Sequence, residues 1–337
     1  MTLTETASLT KKLIILSVIL SIALIGGGIW FQIYQRNRPK PPPVEEKPDV
    51  LWSILPKPNL PLTSVSSANY SYTLDTTTGS VPKDLPKIMK VYFIPQLGTT
   101  LLAADKAREL AADFKFTNGP DILSNTKYRF TDEGGGEFIV DLSSSNFQYK
   151  HSIATDSPLL QDETLGDESR IKTDFMSYLR RKNLLREGLS EGRVKISFNK
   201  STPKESSSAA ISLWQEDVDG HEIITDRFTK GLINGVVTKF KDELQKFLEL
   251  EYIFWPIDQT NFSTYPIKNA EVAFTRLQNG QGAVVIEPKK AQVSINKIGL
   301  VYFLSEDYSQ YLQPVFLFEG EQFAALVPAI TDEYLQK

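Results

Sequence analysis

Cysteine is absent from all 337 residues, and histidine occurs only as His151 and His221. The first absence excludes disulfides, thiolate metal sites and a cysteine nucleophile. The second leaves too few imidazoles for a multi-histidine metal cluster within one chain. Positive charge is in deficit beyond residue 40. Residues 1–40 carry Lys11, Lys12, Arg36, Arg38 and Lys40 against Glu5, a net of +4, so the remainder holds −8 of a total of −4. A body of that sign is repelled by phosphate backbones and anionic lipid surfaces, and nucleic acid is excluded as an expected partner.

Long apolar runs are scarce, with one exception. Leu13 to Tyr34, LIILSVILSIALIGGGIWFQIY, has 22 residues and no charge. A helix of that length spans roughly 33 Å, enough for a hydrocarbon core of about 30 Å. Trp30 and Tyr34 close the run with rings suited to the membrane interface. A cleaved signal peptide is the alternative, but the run is long for one and no small-x-small site ends it. Membrane lipid is therefore the expected partner of residues 13–34. Three cations follow the run and two precede it, which leans towards a body kept inside. A single span so near the start of a large hydrophilic body acts as a signal-anchor, and on that ground the body is expected outside the cytoplasmic membrane. RNRPKPPPVEEKPDV follows, with five prolines in 15 residues, the composition of a semi-rigid spacer.

Beyond residue 61 the periodicity predicts helix followed by meander, three times. In TLLAADKARELAADFKF, Ala107, Leu110, Ala111 and Phe114 share one helical face, and Asn118-Gly119-Pro120 is the expected stop. Strands are predicted at Lys127–Phe130 and Glu137–Leu142, joined through Gly134-Gly135-Gly136. A second helix places Ile171, Phe175, Tyr178 and Leu179 together and leads into strands at 194–198, 210–214, 222–228 and 232–240. Asp219-Gly220 marks a turn between two of these. A third helix, IKNAEVAFTRL, precedes strands at 292–304, 311–318 and 322–327. In the strand YLQPVFLFEG, Val315 and Leu317 face one way and Phe316 and Phe318 the other, so both faces are expected to be covered. Pro314 requires an edge, a bulge or an unpaired position, and Gln313 requires a partner if buried.

Few motifs invite chemistry. Gln215 to Asp226, QEDVDGHEIITD, is rich in acids but lacks the spacing of a calcium loop and is read as a solvated turn. His221 could serve a Ser/His/Asp triad, but no G-x-S-x-G elbow is read to supply its nucleophile, and it is taken as a lone turn histidine. DEGGGE, Asp132 to Glu137, would repel phosphate and is read as a turn. WPIDQTNFSTYP, Trp255 to Pro266, is expected to bury its aromatics against the neighbouring helix, a peptide or glycan groove being the alternative. No catalytic residue, metal ligand or cofactor is assigned, and no binding residue is identified.

The C-terminal third carries a resemblance. TYPIKNAEVAFTRLQNGQG and INKIGLVYFLSEDYSQYLQPVFLFEGEQFAALVPAI, within about residues 264–330, resemble the C-terminal portion of YycI/YycH-type proteins and related PepSY-like modules. The matching elements are Tyr265-Pro266-Ile267 opening a helix, Gly299 to Leu304, Leu312-Gln313-Pro314-Val315, Phe318-Glu319-Gly320 and Val327-Pro328-Ala329. The resemblance implies a membrane-anchored extracytoplasmic protein acting through contacts with a sensor histidine kinase.

The expected class is α+β, with helices packed on curled antiparallel sheets in two consecutive subdomains, preceded by one transmembrane helix. The expected order is a tail (1–12), the span (13–34), a proline-rich stalk (35–60), a first subdomain (61–165) and a second (166–335). The expected function is a non-catalytic interaction or regulatory module of the bacterial cell envelope, contacting another membrane or envelope protein. The alternative is an envelope hydrolase whose carboxylate pair is assembled only by the fold.

Overall fold

The computed structural model describes residues 47–61, 65–96, 98–152 and 164–336. The predicted span 13–34 lies outside these residues. Among the described residues no helix is long and apolar enough to cross a membrane.

Sheets dominate the body, and this corrects the expected fold class. Among the described residues two eight-stranded sheets account for its architecture, while the α-helices are α1 (Ala103–Asp113), α2 (Glu168–Arg181), the single turn α3 (Glu243–Lys246) and α4 (Ala270–Gln278). Nor are the sheets consecutive along the chain. The first combines β1 (Ser71–Leu74) and β2 (Ile88–Phe93) with β9 (Ile223–Ile224), β12 (Asp258–Pro266), β13 (Ala283–Ile286), β14 (Gln292–Phe303), β15 (Tyr311–Gly320) and β16 (Phe323–Pro328). The second contains β3 (Asn118–Ile122), β4 (Lys127–Thr131), β5 (Glu137–Asp141), β6 (Phe147–Lys150), β7 (Val194–Phe198), β8 (Ser208–Leu213), β10 (Ile233–Thr238) and β11 (Phe247–Tyr252). Distant segments supply each other's edges, which local periodicity cannot report.

The β14–β15 hairpin is the trunk of the first sheet. Phe316 and Phe318 on one side, and Val315 and Leu317 on the other, join different core clusters, all four at most 3% exposed. This is the two-sided burial expected of a continuous apolar run. Pro314 lies where one edge of β15 changes partner, from β2 at Tyr311 and Leu312 to β16 from Val315 onward. Its carbonyl accepts from Ala329 N–H at 3.1 Å on that side, so its missing N–H falls in the gap between the two partners. Gln313 is buried and donates through Nε2 to Pro56 O at 2.8 Å. The chain from Asp49 to Pro56 is fastened to this sheet. Asp49 accepts from Ser263 Oγ (2.6 Å) and Thr264 N–H (2.7 Å), and Leu55 bridges to Leu335.

The second sheet alternates. Phe130, Phe138, Tyr149, Leu250, Gly235, Ile211 and Ile196 form one apolar row by register, from β4 through β5, β6, β11, β10 and β8 to β7. Ile171, Phe175, Tyr178 and Leu179 of α2 join the same core, with Ala103, Ala107 and Ala111 of α1. Asp167 caps α2 by accepting from Arg170 N–H at 2.8 Å, while Arg180 and Arg181 complement its C-terminal dipole. Gly235 sets how closely α2 approaches. A Cβ there would stand 2.8 Å from Phe175 Cε2 and 3.3 Å from Ile211 Cγ2.

Three boundaries depart from expectation. Helix α1 ends at Asp113, where Lys115 takes a left-handed φ of 67°, and Asn118-Gly119-Pro120 begins β3 rather than stopping the helix. Tyr265 and Pro266 close β12, and α4 starts only after Asn269, whose side chain accepts from Val272 N–H at 2.8 Å. The strand expected over 222–228 shrinks to β9, because Asp226 and Arg227 turn to other contacts.

Candidate functional site

The other face of the second sheet is polar. Register places Arg129, Ile139, Gln148, Glu251, Asn234, Ser212 and Lys195 in one row, and Thr131, Glu137, Lys150, Glu249, Val236, Ala210 and Ser197 in the next. A hollow of about 390 Å³ opens on this face between Glu137 and Lys230. Lys150 Nζ meets Glu249 Oε1 at 2.6 Å, and that contact holds the exposed ammonium above its usual range. Ser212 Oγ donates to Asn234 Oδ1 (2.7 Å), and Asn234 Nδ2 donates to Glu251 Oε2 (3.0 Å). Exposed ion pairs add little stability, about 0–1 kcal/mol each. Their weight lies in what the face can recognise: it offers donors, acceptors and both charge signs side by side.

At the margin of this face a polar cluster joins the two sheets. Arg227 Nη2 meets Glu251 Oε1 at 2.6 Å, and Nε pairs with Glu306. Burial works against the Arg227 charge, but its bonds to Glu251 and Glu306 overrule it and stabilise the guanidinium. Asp226 accepts from Glu306 N–H at 2.5 Å and from Ser305 Oγ at 3.1 Å. Burial raises its carboxyl above the ordinary 3.8, against those two hydrogen bonds, with the Glu306 charge adding to the rise. Trp255 Nε1 donates to Ser305 O at 3.1 Å and completes the join. Asp226 and Glu306 bring two acids side by side. Both oxygens of Asp226 are already engaged, so its geometry is that of a clamp.

The acids of Gln215–Asp226 diverge instead of converging on a cation. Glu216 accepts from Glu191 N–H (3.0 Å), Asp219 meets Lys90 Nζ (3.2 Å) and Tyr92 OH, and Glu222 pairs with Arg193 at 3.2 Å. Asp219 and Gly220 both have positive φ, 51° and 73°, as a two-residue type I′ hairpin turn requires. His221 Nδ1 lies 3.0 Å from Asp219 O. Gly188-Leu189-Ser190-Glu191-Gly192 has the spacing of a nucleophile elbow, a match that the sequence reading passed over. It lies between α2 and β7, not between strand and helix, and Ser190 Oγ donates to Glu216 Oε1 at 3.2 Å.

In DEGGGE, Asp132 caps the turn by accepting from Gly136 N–H at 2.6 Å. Its other oxygen lies 3.1 Å from Nδ1 of the buried His151, which stacks on Phe116. Sequence reasoning missed that pair, because nothing local links residues 19 apart. The aromatics of Trp255–Pro266 are partly or wholly buried, but not against a helix: Trp255 meets Tyr308 edge-on, and the other two lie against β2 and the N-terminal segment. Phe262 packs on Tyr92, and the fully buried Tyr265 accepts from Trp52 N–H at 3.1 Å.

No family model matches the chain, and no curated protein matches it. Among solved structures it is similar to an uncharacterized protein from Eubacterium rectale ATCC 33656, with a TM-score of 0.34 and 10% identity, over 73% of this chain and 84% of that one. A likeness that weak carries no argument about fold or function.

Proposed function

We propose that the protein is a non-catalytic interaction module of the bacterial cell envelope, tethered by residues 13–34 with its body outside the cytoplasmic membrane. The uncharged run of 22 residues supports the tether. The observation that carries the interaction reading is the pair of polar rows across seven strands, in which Gln148, Lys150, Lys195, Ser197 and Ala210 are exposed. Another membrane or envelope protein is the partner, and the resemblance of residues 264–330 to YycI/YycH-type proteins makes a sensor kinase the first to test.

A photo-crosslinking residue placed at Gln148 or Ala210 in intact cells tests this reading. Both positions should give the same adduct with a membrane or envelope protein, while the exposed Glu271 on α4 should give none. Absence of adducts from both wet-face positions would overturn it. The hydrolase reading has one supporting observation, the raised carboxyl of Asp226 beside Glu306. Release of soluble fragments from cell-wall polymer, abolished in Asp226→Asn, would establish that reading instead.

A further inference from the structure

The second sheet ends differently on its two sides. At one side β3 is blunted by Gly119, Pro120 and a register shift between Asn118 and Asp121. These devices discourage further pairing. At the other side β7 is regular over Val194–Phe198, and no described strand pairs with its outer edge. The hydrogen-bond phase identifies the free groups. Arg193 O accepts from Trp214 N–H (2.9 Å) and Asn199 N–H donates to Ser208 O (3.1 Å), both towards β8. Alternation then turns Lys195 and Ser197 towards β8, and aims the N–H and C=O groups of Val194, Ile196 and Phe198 outward.

Side chains along this edge are incomplete in the same way. Val194, Ile196 and Phe198 are only half-buried, and with Met176 and Leu185 they form a partly open apolar border of the core. Lys195 is exposed on the wet face of this edge, and Arg193, on the same face by alternation, is paired with Glu222. The segment after β7 adds Lys200 and Lys204 against Glu205, in a body that is otherwise acidic. Two such edges repel one another, which disfavours a second copy of this chain as the occupant.

We propose that β7 accepts, by strand addition, an extended segment of a partner protein that alternates apolar and acidic residues. The apolar residues extend the row ending at Ile196, and the carboxylates lie beside Lys195 on the wet face. Main-chain bonds to Val194, Ile196 and Phe198 supply affinity, and the alternation supplies specificity. The inference rests on the interaction reading above and names the edge and the chemistry of the partner.

Fluorescence anisotropy with the full-length chain tests it, using the labelled peptide Glu-Val-Glu-Ile-Glu-Val-Glu and its lysine counterpart. The acidic peptide should bind about tenfold or more tightly than the basic one, a difference of roughly 1.4 kcal/mol. Ile196→Pro, which removes an outward N–H without touching the β8 ladder, should weaken binding by a similar factor. Lys195→Glu, an exposed change that leaves the core intact, should reverse the preference between peptides. Failure of the acidic peptide to bind, equal binding of both peptides, or an unchanged preference in Lys195→Glu would overturn the proposal. Failure here with wet-face crosslinks intact would reject the edge and leave the interaction reading standing. Loss of those crosslinks with the peptide preference intact would do the reverse.

Discussion

The two sheets contain the same number of strands and treat water in opposite ways. The β14–β15 trunk of the first presents apolar side chains to both sides. In the second, α1 and α2 share a core with one face, and the other carries Gln148, Lys150, Asn234, Glu249 and Glu251. Burying a strand on both faces demands a nearly continuous apolar run, whereas burying one face demands only every second residue. The first arrangement therefore places stability at almost every position, and the second leaves half its positions available for recognition.

Four substitutions sharpen or break that contrast. The largest effect is expected at Phe316→Ala in the first sheet, where loss of a fully buried ring should cost about 3–5 kcal/mol. Denaturant unfolding of the purified chain would measure it, and a cost below about 1 kcal/mol would deny that this face is closed. Gly235→Ala, on the covered face of the second sheet, should cost about 1–3 kcal/mol by driving a methyl group against Phe175. A fully tolerated alanine would mean that α2 does not sit tightly on the strand.

Asp226→Asn should have a smaller effect, and one that depends on pH. Its folded pKa lies above the ordinary 3.8, so the folded state holds the proton more tightly than the unfolded chain. The stability it contributes is complete below about pH 3.8 and is lost as pH rises through the folded value. The variant has no such loss, so its unfolding free energy relative to the parent should rise between about pH 4 and pH 7. A flat difference would mean that the hydrogen bonds from Ser305 and Glu306 offset the burial of Asp226. The smallest effect is expected at Gln148→Ala on the wet face, within about 0.5 kcal/mol in either direction. A larger loss in that variant would show that the face is part of the core, and the contrast between the sheets would fail.

Much of the covered architecture was legible before the fold was known. Ile171, Phe175, Tyr178 and Leu179 form a face because the helical period aligns them, and all four are buried. The run around Phe316 and Phe318 was readable because two-sided burial leaves its mark on consecutive residues. Strands such as β12, with Asp258, Asn261 and Ser263, carry no such mark. That segment is a strand because β2 pairs with it, a contact made across more than 160 residues. The polar rows were illegible for a related reason. Lys150 and Glu249 become neighbours only when β6 and β11 pair, and each alone resembles any surface charge. Cooperation between distant strands overrode the expectation of helices layered on consecutive sheets.

The fastening of Asp49–Pro56 acquires another meaning if the chain is pulled. Tension entering at Pro48 meets the bonds from Asp49 to Ser263 and Thr264, then the bridge from Leu55 to Leu335. Both anchor points belong to the first sheet's side of the molecule. Load entering there is met first by β12 and by the chain at Leu335, with Gln313 of β15 tied to Pro56. The open edge of β7 and the wet face belong to the other sheet, which makes none of these bonds.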